Sequence, residues 1–145
     1  MMATFRTEDF TPDAYGHDAF DKARVANQLV RLVEGDFRPT LFLHTLYQRL
    51  SLMFGHIAEF DRHGFYHVWM STPARRTEWL RYVANGGAYG LMPLDRTDTW
   101  ADVEHAIAGW VNAHPEYREH QQALADAEIE TSERAELARL QGKYA

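Results

Sequence analysis

The chain has 145 residues, 46% of them hydrophobic and 25% charged, with no cysteine and a formal net charge of −6. These totals fit one globular domain with its own core, and they exclude a wholly disordered chain, a disulfide framework and a thiolate zinc site. The negative charge argues against a general nucleic-acid coat, and no apolar run reaches the ~18 residues of a membrane span.

The first ten residues carry no apolar signal-peptide core, so the expectation is a cytoplasmic protein that does not meet the membrane. The cations are almost all arginine: 13 Arg against only Lys22 and Lys143. Arginine suits bidentate and stacked contacts, although genome composition accounts for the bias equally well.

Residues 1–17 hold Pro12 and Gly16, show no clear period, and read as an N-terminal arm over the body. Asp18 is a good N-cap for a first helix over 19–34, in which Val25, Leu29, Leu32 and Val33 repeat at helical spacing and Gly35 closes the end. A second helix opens at Thr40 after Pro39. Its stripe of Leu43, Leu46, Tyr47, Leu50, Met53 and Phe54 is expected in the core.

Segment 54–70 is the densest in aromatic and histidine side chains: Phe54, Phe60, Phe65, Tyr66 and Trp69, with His56, His63 and His67 between them. Aromatic and β-branched residues flank the polar run Asp61, Arg62, His63 and Gly64. That pattern predicts a β-hairpin over 56–70, with Gly64 supplying a positive φ. The rival reading extends the second helix through Phe60. The hairpin is preferred because a strand at 65–70 needs a hydrogen-bonding neighbour.

Thr72 and Pro73 start a third helix over 73–84 that buries Trp79, Leu80 and Val83 and stops at Asn85, Gly86 and Gly87. The loop 86–98 carries Tyr89, Leu91, Met92 and Pro93 and is expected to pack down. Thr99 and Asp102 resemble a capping box for a fourth helix over 100–113, with Trp100, Val103, Ile107, Trp110 and Val111 on its apolar face. Pro115 separates a fifth helix over 116–141.

Residues 115–145 hold four basic and seven acidic side chains, half the chain's net charge. The apolar stripe there is thin: Tyr117, Leu124, Leu137, Leu140 and alanines. The segment reads as a solvated terminal helix, or as one that packs on a second copy, making a homo-oligomer, or on a partner. The predicted fold is therefore α+β and predominantly α, with about five helices and one β-hairpin. It forms one domain: arm 1–17, helical body 18–114 and acidic C-terminal helix 115–145.

Chemistry-bearing patterns are sparse. There is no nucleophile elbow and no phosphate-binding loop, since Gly86, Gly87 and Gly90 follow a helix and lack the Lys-Ser/Thr pair. His63 and His67 with Glu59 or Asp61 could ligate zinc, iron or manganese. In a hairpin, however, Phe65 and Trp69 would flank His67 and leave it no second ligand. No metal, cofactor or catalytic residue is expected. Arg75 and Arg76 stand out because they occupy the first turn of a helix, where the dipole disfavours cations. Such a violation can mark a functional site. Ion pairing with Asp61, Glu78 or the acidic tail would explain it equally well.

The pattern Phe54, Gly55, Ile57, Ala58, Phe60, Asp61, Arg62, Gly64, Phe65 and Tyr66 resembles a segment of small uncharacterised proteins of bacterial mobile elements and phages. Leu46–Tyr47 and Asp21, Lys22 and Ala23 add to the likeness, which covers about a third of the chain. The resemblance carries no activity and no catalytic residues. It implies an accessory protein that binds host or plasmid machinery.

The functional expectation is a non-enzymatic protein that binds another macromolecule, a protein in the first instance, through Arg62, His63, Tyr66, Trp69, Arg75 and Arg76. Exposed aromatics beside arginines are common interface anchors. The alternatives are nucleic-acid binding through the same patch, with Tyr66 or Trp69 stacking on bases, and a metal-dependent hydrolase using His63, His67 and an acid.

Overall fold

Asp18 starts the first helix, α1 (Ala19–Glu34), by a reciprocal cap. Its carboxylate accepts the Asp21 N–H at 2.8 Å, and the Asp21 carboxylate accepts the Asp18 N–H at 3.4 Å. The computed structural model describes residues 4–12, 16, 18–53, 61–87, 91, 94 and 100–144. Five further helices follow: α2 (His44–Met53), α3 (Arg62–Met70), α4 (Pro73–Ala84), α5 (Ala101–Ala113) and α6 (Pro115–Tyr144). α1 packs on α2 and α5, and α4 touches α3, α5 and most extensively α6. The expected stripe of Val25, Leu29, Leu32 and Val33 is buried in the core with Leu46, Leu50, Trp79, Leu80, Val103 and Ile107.

The β-hairpin does not form in the described residues. Arg62–Met70 is helical, and the described fold is all-helical, not α+β. Residues 56–60, expected to supply the first strand, lie outside the described residues. The run read as a hairpin loop is a helix start. Asp61 is extended (φ −147°, ψ 168°), and its carboxylate accepts the Gly64 N–H at 2.6 Å. Gly64 sits in the first turn and has no positive φ. Phe65 and Met70 are buried while Tyr66, Val68 and Trp69 are half-buried. That spacing wraps one helical stripe around residues that also satisfy a strand's enrichment in aromatics.

Smaller departures have local causes. A single 3-10 turn, Pro39–Leu41, precedes α2, so the helix begins at His44 instead of Thr40, and Leu43 is left exposed outside it. Pro115 is the first residue of α6, where its missing N–H costs nothing. Thr99, half of the expected capping box, lies outside the described residues; Asp102 pairs with Lys22. In the loop 86–98, Leu91 and Leu94 are exposed instead of packed, and Tyr89, Met92 and Pro93 lie outside the described residues.

The exit from α1 sets the position of the later helices. The Asp36 N–H donates to Val33 O at 3.2 Å and the Phe37 N–H to Leu32 O at 2.8 Å, the paired bonds of a Schellman stop. The left-handed residues are Asp36 (φ 59°) and Phe37 (φ 58°), not Gly35. Gly35 is small for a different reason: a Cβ there would collide with the Leu41 side chain. Left-handed backbone costs an L-residue roughly 1–2 kcal/mol, so the corner persists because tertiary contacts hold it. Phe37 is fully buried, edge-on to Trp79 of α4 at 6.0 Å. The Tyr66 hydroxyl of α3 donates to Phe37 O at 2.6 Å. Gln121 of α6 donates from Nε2 to Asp36 Oδ1 at 2.5 Å.

The N-terminal segment lies along α1. The Phe5 N–H donates to Asn27 Oδ1 at 2.9 Å and Asn27 Nδ2 returns a bond to Phe5 O at 3.0 Å. Thr11 N–H reaches Asp102 Oδ2 at 3.3 Å. The same carboxylate holds the Lys22 ammonium at 2.9 Å, and the lysine side chain is only 3% exposed. One acid thus ties the arm, α1 and α5 together.

α6 is seated by its first third. Tyr117 stacks on Trp110 at 5.3 Å, and Gln121 and Ala125 are its buried residues. From 126 to 144 every residue is exposed. The Tyr117 hydroxyl donates to Glu34 Oε2 at 3.4 Å. Burial, with Glu34 and Glu116 nearby, holds its pKa above the ordinary phenol value.

Asp102→Ala should lower the unfolding free energy by about 3 kcal/mol, because it leaves a buried ammonium without its counter-charge. Adding Lys22→Met should recover most of the loss in a denaturant titration. Tyr117 gives a pH test. Its folded pKa is raised, so the neutral phenol is the form the fold favours. That contribution is complete below the unfolded value near 10 and is lost as pH rises through the folded value. Tyr117→Phe should therefore flatten the alkaline fall in stability and leave the acid limb unchanged.

Candidate functional site

The six residues expected to form an interface lie on α3 and the first turn of α4. Phe65 anchors α3 by stacking on Phe42 at 5.5 Å and meeting Tyr47 edge-on at 5.8 Å. With Phe65 inward, Arg62 and His63 at the N-terminal end of α3 are exposed. Tyr66 leans on Phe42 at 6.1 Å with its hydroxyl committed to Phe37 O. Trp69 packs beside Tyr82 of α4 at 5.7 Å.

Only Ser71 and Thr72 separate α3 from α4. The Thr72 hydroxyl accepts the Arg75 N–H at 3.3 Å, and Pro73 takes the first helical position, as expected. This tight joint puts the first turn of α4 against the last turn of α3, whose carbonyls have no partner within their own helix. Arg75 donates from Nη1 to Val68 O at 3.0 Å and to His67 O at 3.4 Å. Arg76 donates from Nε to Met70 O at 2.7 Å, and its guanidinium lies 5.6 Å from the Phe37 ring centre. The Ser71 hydroxyl adds a bond to His67 O at 2.5 Å. The cations that oppose the dipole of α4 complement the negative end of α3. The partners are backbone carbonyls, not Asp61, Glu78 or the acidic tail.

Five of the six residues divide over two grooves. Arg62, His63 and Tyr66 line one of about 430 Å³ with Pro39, Thr40 and Phe42. Trp69 and Arg75 line another of about 350 Å³ with Val68, Ala74 and Glu78. Arg76 turns inward over Phe37. In the first groove the apolar surface comes from Pro39, Phe42 and Tyr66, and the polar rim comes from Arg62 and His63. Neither Arg62 nor His63 makes a hydrogen bond or ion pair with another described residue. His63 and His67 are one turn apart on α3, on one face. Among the described residues no three His, Asp or Glu side chains could hold a metal ion together; Glu59 lies outside them.

Sequence reasoning missed a cleft of about 680 Å³ between the N-terminal segment and α1, lined by Phe5, Arg6, Phe20, Arg24 and Arg31 among others. A signal was present. Phe20, Arg24, Asn27, Arg31 and Glu34 recur at helical spacing on the side of α1 opposite its core stripe. Arg24 there pairs with Asp21 at 3.2 Å.

Comparison with protein-family models, curated proteins and solved structures gives no match. No described helix is long and apolar enough to cross a membrane.

Arg76→Ala should cost about 1–2 kcal/mol, because it removes a charge-assisted bond to a partly buried carbonyl. Arg75→Ala should cost less, since its bonds are exposed to solvent. Denaturant midpoints of the two single variants give the comparison.

Proposed function

We propose that this chain is a non-enzymatic interaction protein that binds a segment of another protein in the groove lined by Pro39, Thr40, Phe42, Arg62, His63 and Tyr66. The observation that supports the reading is the pairing of two polar side chains without a partner among the described residues, Arg62 and His63, with an aromatic floor. The Arg62 guanidinium suits a carboxylate, and Phe42 with Tyr66 suits an apolar anchor. The partner segment that fits is acidic with an aromatic or aliphatic residue beside the acid.

Membership of a mobile element or phage is part of the proposal and rests on the resemblance alone, carried by segment 54–66 with Leu46–Tyr47 and Asp21, Lys22 and Ala23. A cytoplasmic setting, with which the lack of cysteine is compatible, belongs to it as well. Nucleic acid is a weaker occupant. Two of the cations that reading needs, Arg75 and Arg76, are committed to backbone carbonyls, and the Tyr66 ring is half-buried. The metal-dependent hydrolase has no set of three donors to build on among the described residues.

Selection from a displayed random peptide library should enrich sequences that combine Asp or Glu with an aromatic residue. The Arg62→Glu, His63→Glu variant should bind the enriched peptides at least about tenfold more weakly, with an unchanged circular dichroism spectrum. Enriched peptides that bind the variant as tightly as the parent would refute this site. Retention of single-stranded DNA at low salt, lost steeply as salt rises, would move the assignment to nucleic acid.

A further inference from the structure

We propose that α6 pairs with α6 of a second copy of this chain, in antiparallel orientation, through the exposed stretch 126–144. The inference does not depend on the groove at Arg62 and His63.

The first observation is an apolar stripe without a partner. Ile129 is 56% exposed, Leu137 55%, Leu140 36% and Tyr144 76%. At 100° per residue these four fall within a quarter of the helix circumference. They do not continue the seated face. Gln121 and Ala125 point to the body, while the centre of the distal stripe is rotated about 100° away from them. The body of the same chain therefore does not cover it.

The second observation identifies the occupant. Charge is segregated along the exposed stretch. Residues 126–133 hold Asp126, Glu128, Glu130 and Glu133 and no base. Residues 134–144 hold Arg134, Arg139 and Lys143 against the single acid Glu136. Two copies laid parallel would set acid on acid and base on base. Two copies laid antiparallel set each acidic half against the other's basic half. The surface is its own electrostatic complement under a two-fold axis, as an isologous interface requires. The ion pairs Arg134–Glu130 and Arg139–Glu136 within each helix are exposed and worth little, so they do not compete strongly.

Size sets the strength. The exposed stretch is 19 residues, roughly 28 Å at 1.5 Å per residue. Glu133 lies in the middle of the stripe and interrupts it. A short seam with a charge in it gives a reversible, concentration-dependent dimer, weakened by salt.

Sedimentation equilibrium of the whole chain at low and high salt tests the proposal. A monomer–dimer equilibrium is expected, loosened by salt. Leu137→Asp with Leu140→Asp should weaken it at least about tenfold. Arg134→Glu, Arg139→Glu, Lys143→Glu should do the same while circular dichroism shows the helix retained. Glu133→Leu should tighten it.

Orientation is read with spin labels on single cysteines, which are unique because the chain has none. Labels at Glu136→Cys, which flanks the stripe near its midpoint, should lie close together across the two-fold. Labels at Ala127→Cys should lie more than 20 Å apart by helical rise. A chain that stays monomeric at every concentration, a dimer indifferent to Leu137→Asp with Leu140→Asp, or close labels at both positions would each overturn the inference. The first outcome would leave the stripe to a different protein.

Discussion

The left-handed corner at Asp36 and Phe37 is the constraint on which the arrangement of helices depends. Two consecutive residues with side chains occupy a backbone region that usually falls to glycine. Their strain is offset by contacts from three later helices: the Tyr66 hydroxyl on the Phe37 carbonyl, Trp79 on the Phe37 ring, and Gln121 on the Asp36 carboxylate. Each contact spans at least 29 residues of sequence. The corner is not the product of local propensity. Its side-chain contacts come from α3, α4 and α6, so its geometry is tied to the whole domain.

The arginines of α4 show how one helix end can satisfy another. Considered alone, Arg75 and Arg76 stand at the wrong end of their helix dipole. Beside α3 they are donors to carbonyls that would otherwise face solvent or go unpaired. This joint commits two of the six residues that made the aromatic and arginine concentration look like a single binding face. The binding face proposed above is accordingly confined to the groove at Arg62 and His63. The residues that brought this region to notice hold the structure together at least as much as they offer a surface.

Helix starts were legible wherever one side chain and the next few backbone groups decide them. Asp18 and Thr72 cap α1 and α4 as their chemistry predicts, and the core stripe of α1 follows from spacing alone. Asp61 was misread because a polar run ending in glycine serves a hairpin loop and an N-cap equally well. Phe65 on Phe42 and Tyr47 accompanies the helical outcome, and no local rule reports those contacts. One misreading then caused the next. With strands in place of α3 there was no helix end for Arg75 and Arg76 to satisfy, so they looked unexplained. The buried Lys22–Asp102 pair was illegible for a similar reason, since 80 residues separate its members. The grooves depend on where separate elements meet, so spacing within any one helix gave only part of each lining.

α6 runs unbroken from Pro115 to Tyr144, about 45 Å of stiff rod. Its inner third is clamped and its outer two thirds are not. Such an object is a lever with a short arm in the protein and a long arm in solvent. A sideways load near Tyr144 is magnified where Gln121 grips Asp36, so torque at the tip is delivered to the most strained backbone in the described structure. Gln121 on Asp36 acts there beside the packing of α6 on α4 and the stack of Tyr117 on Trp110, and these contacts together form the short arm.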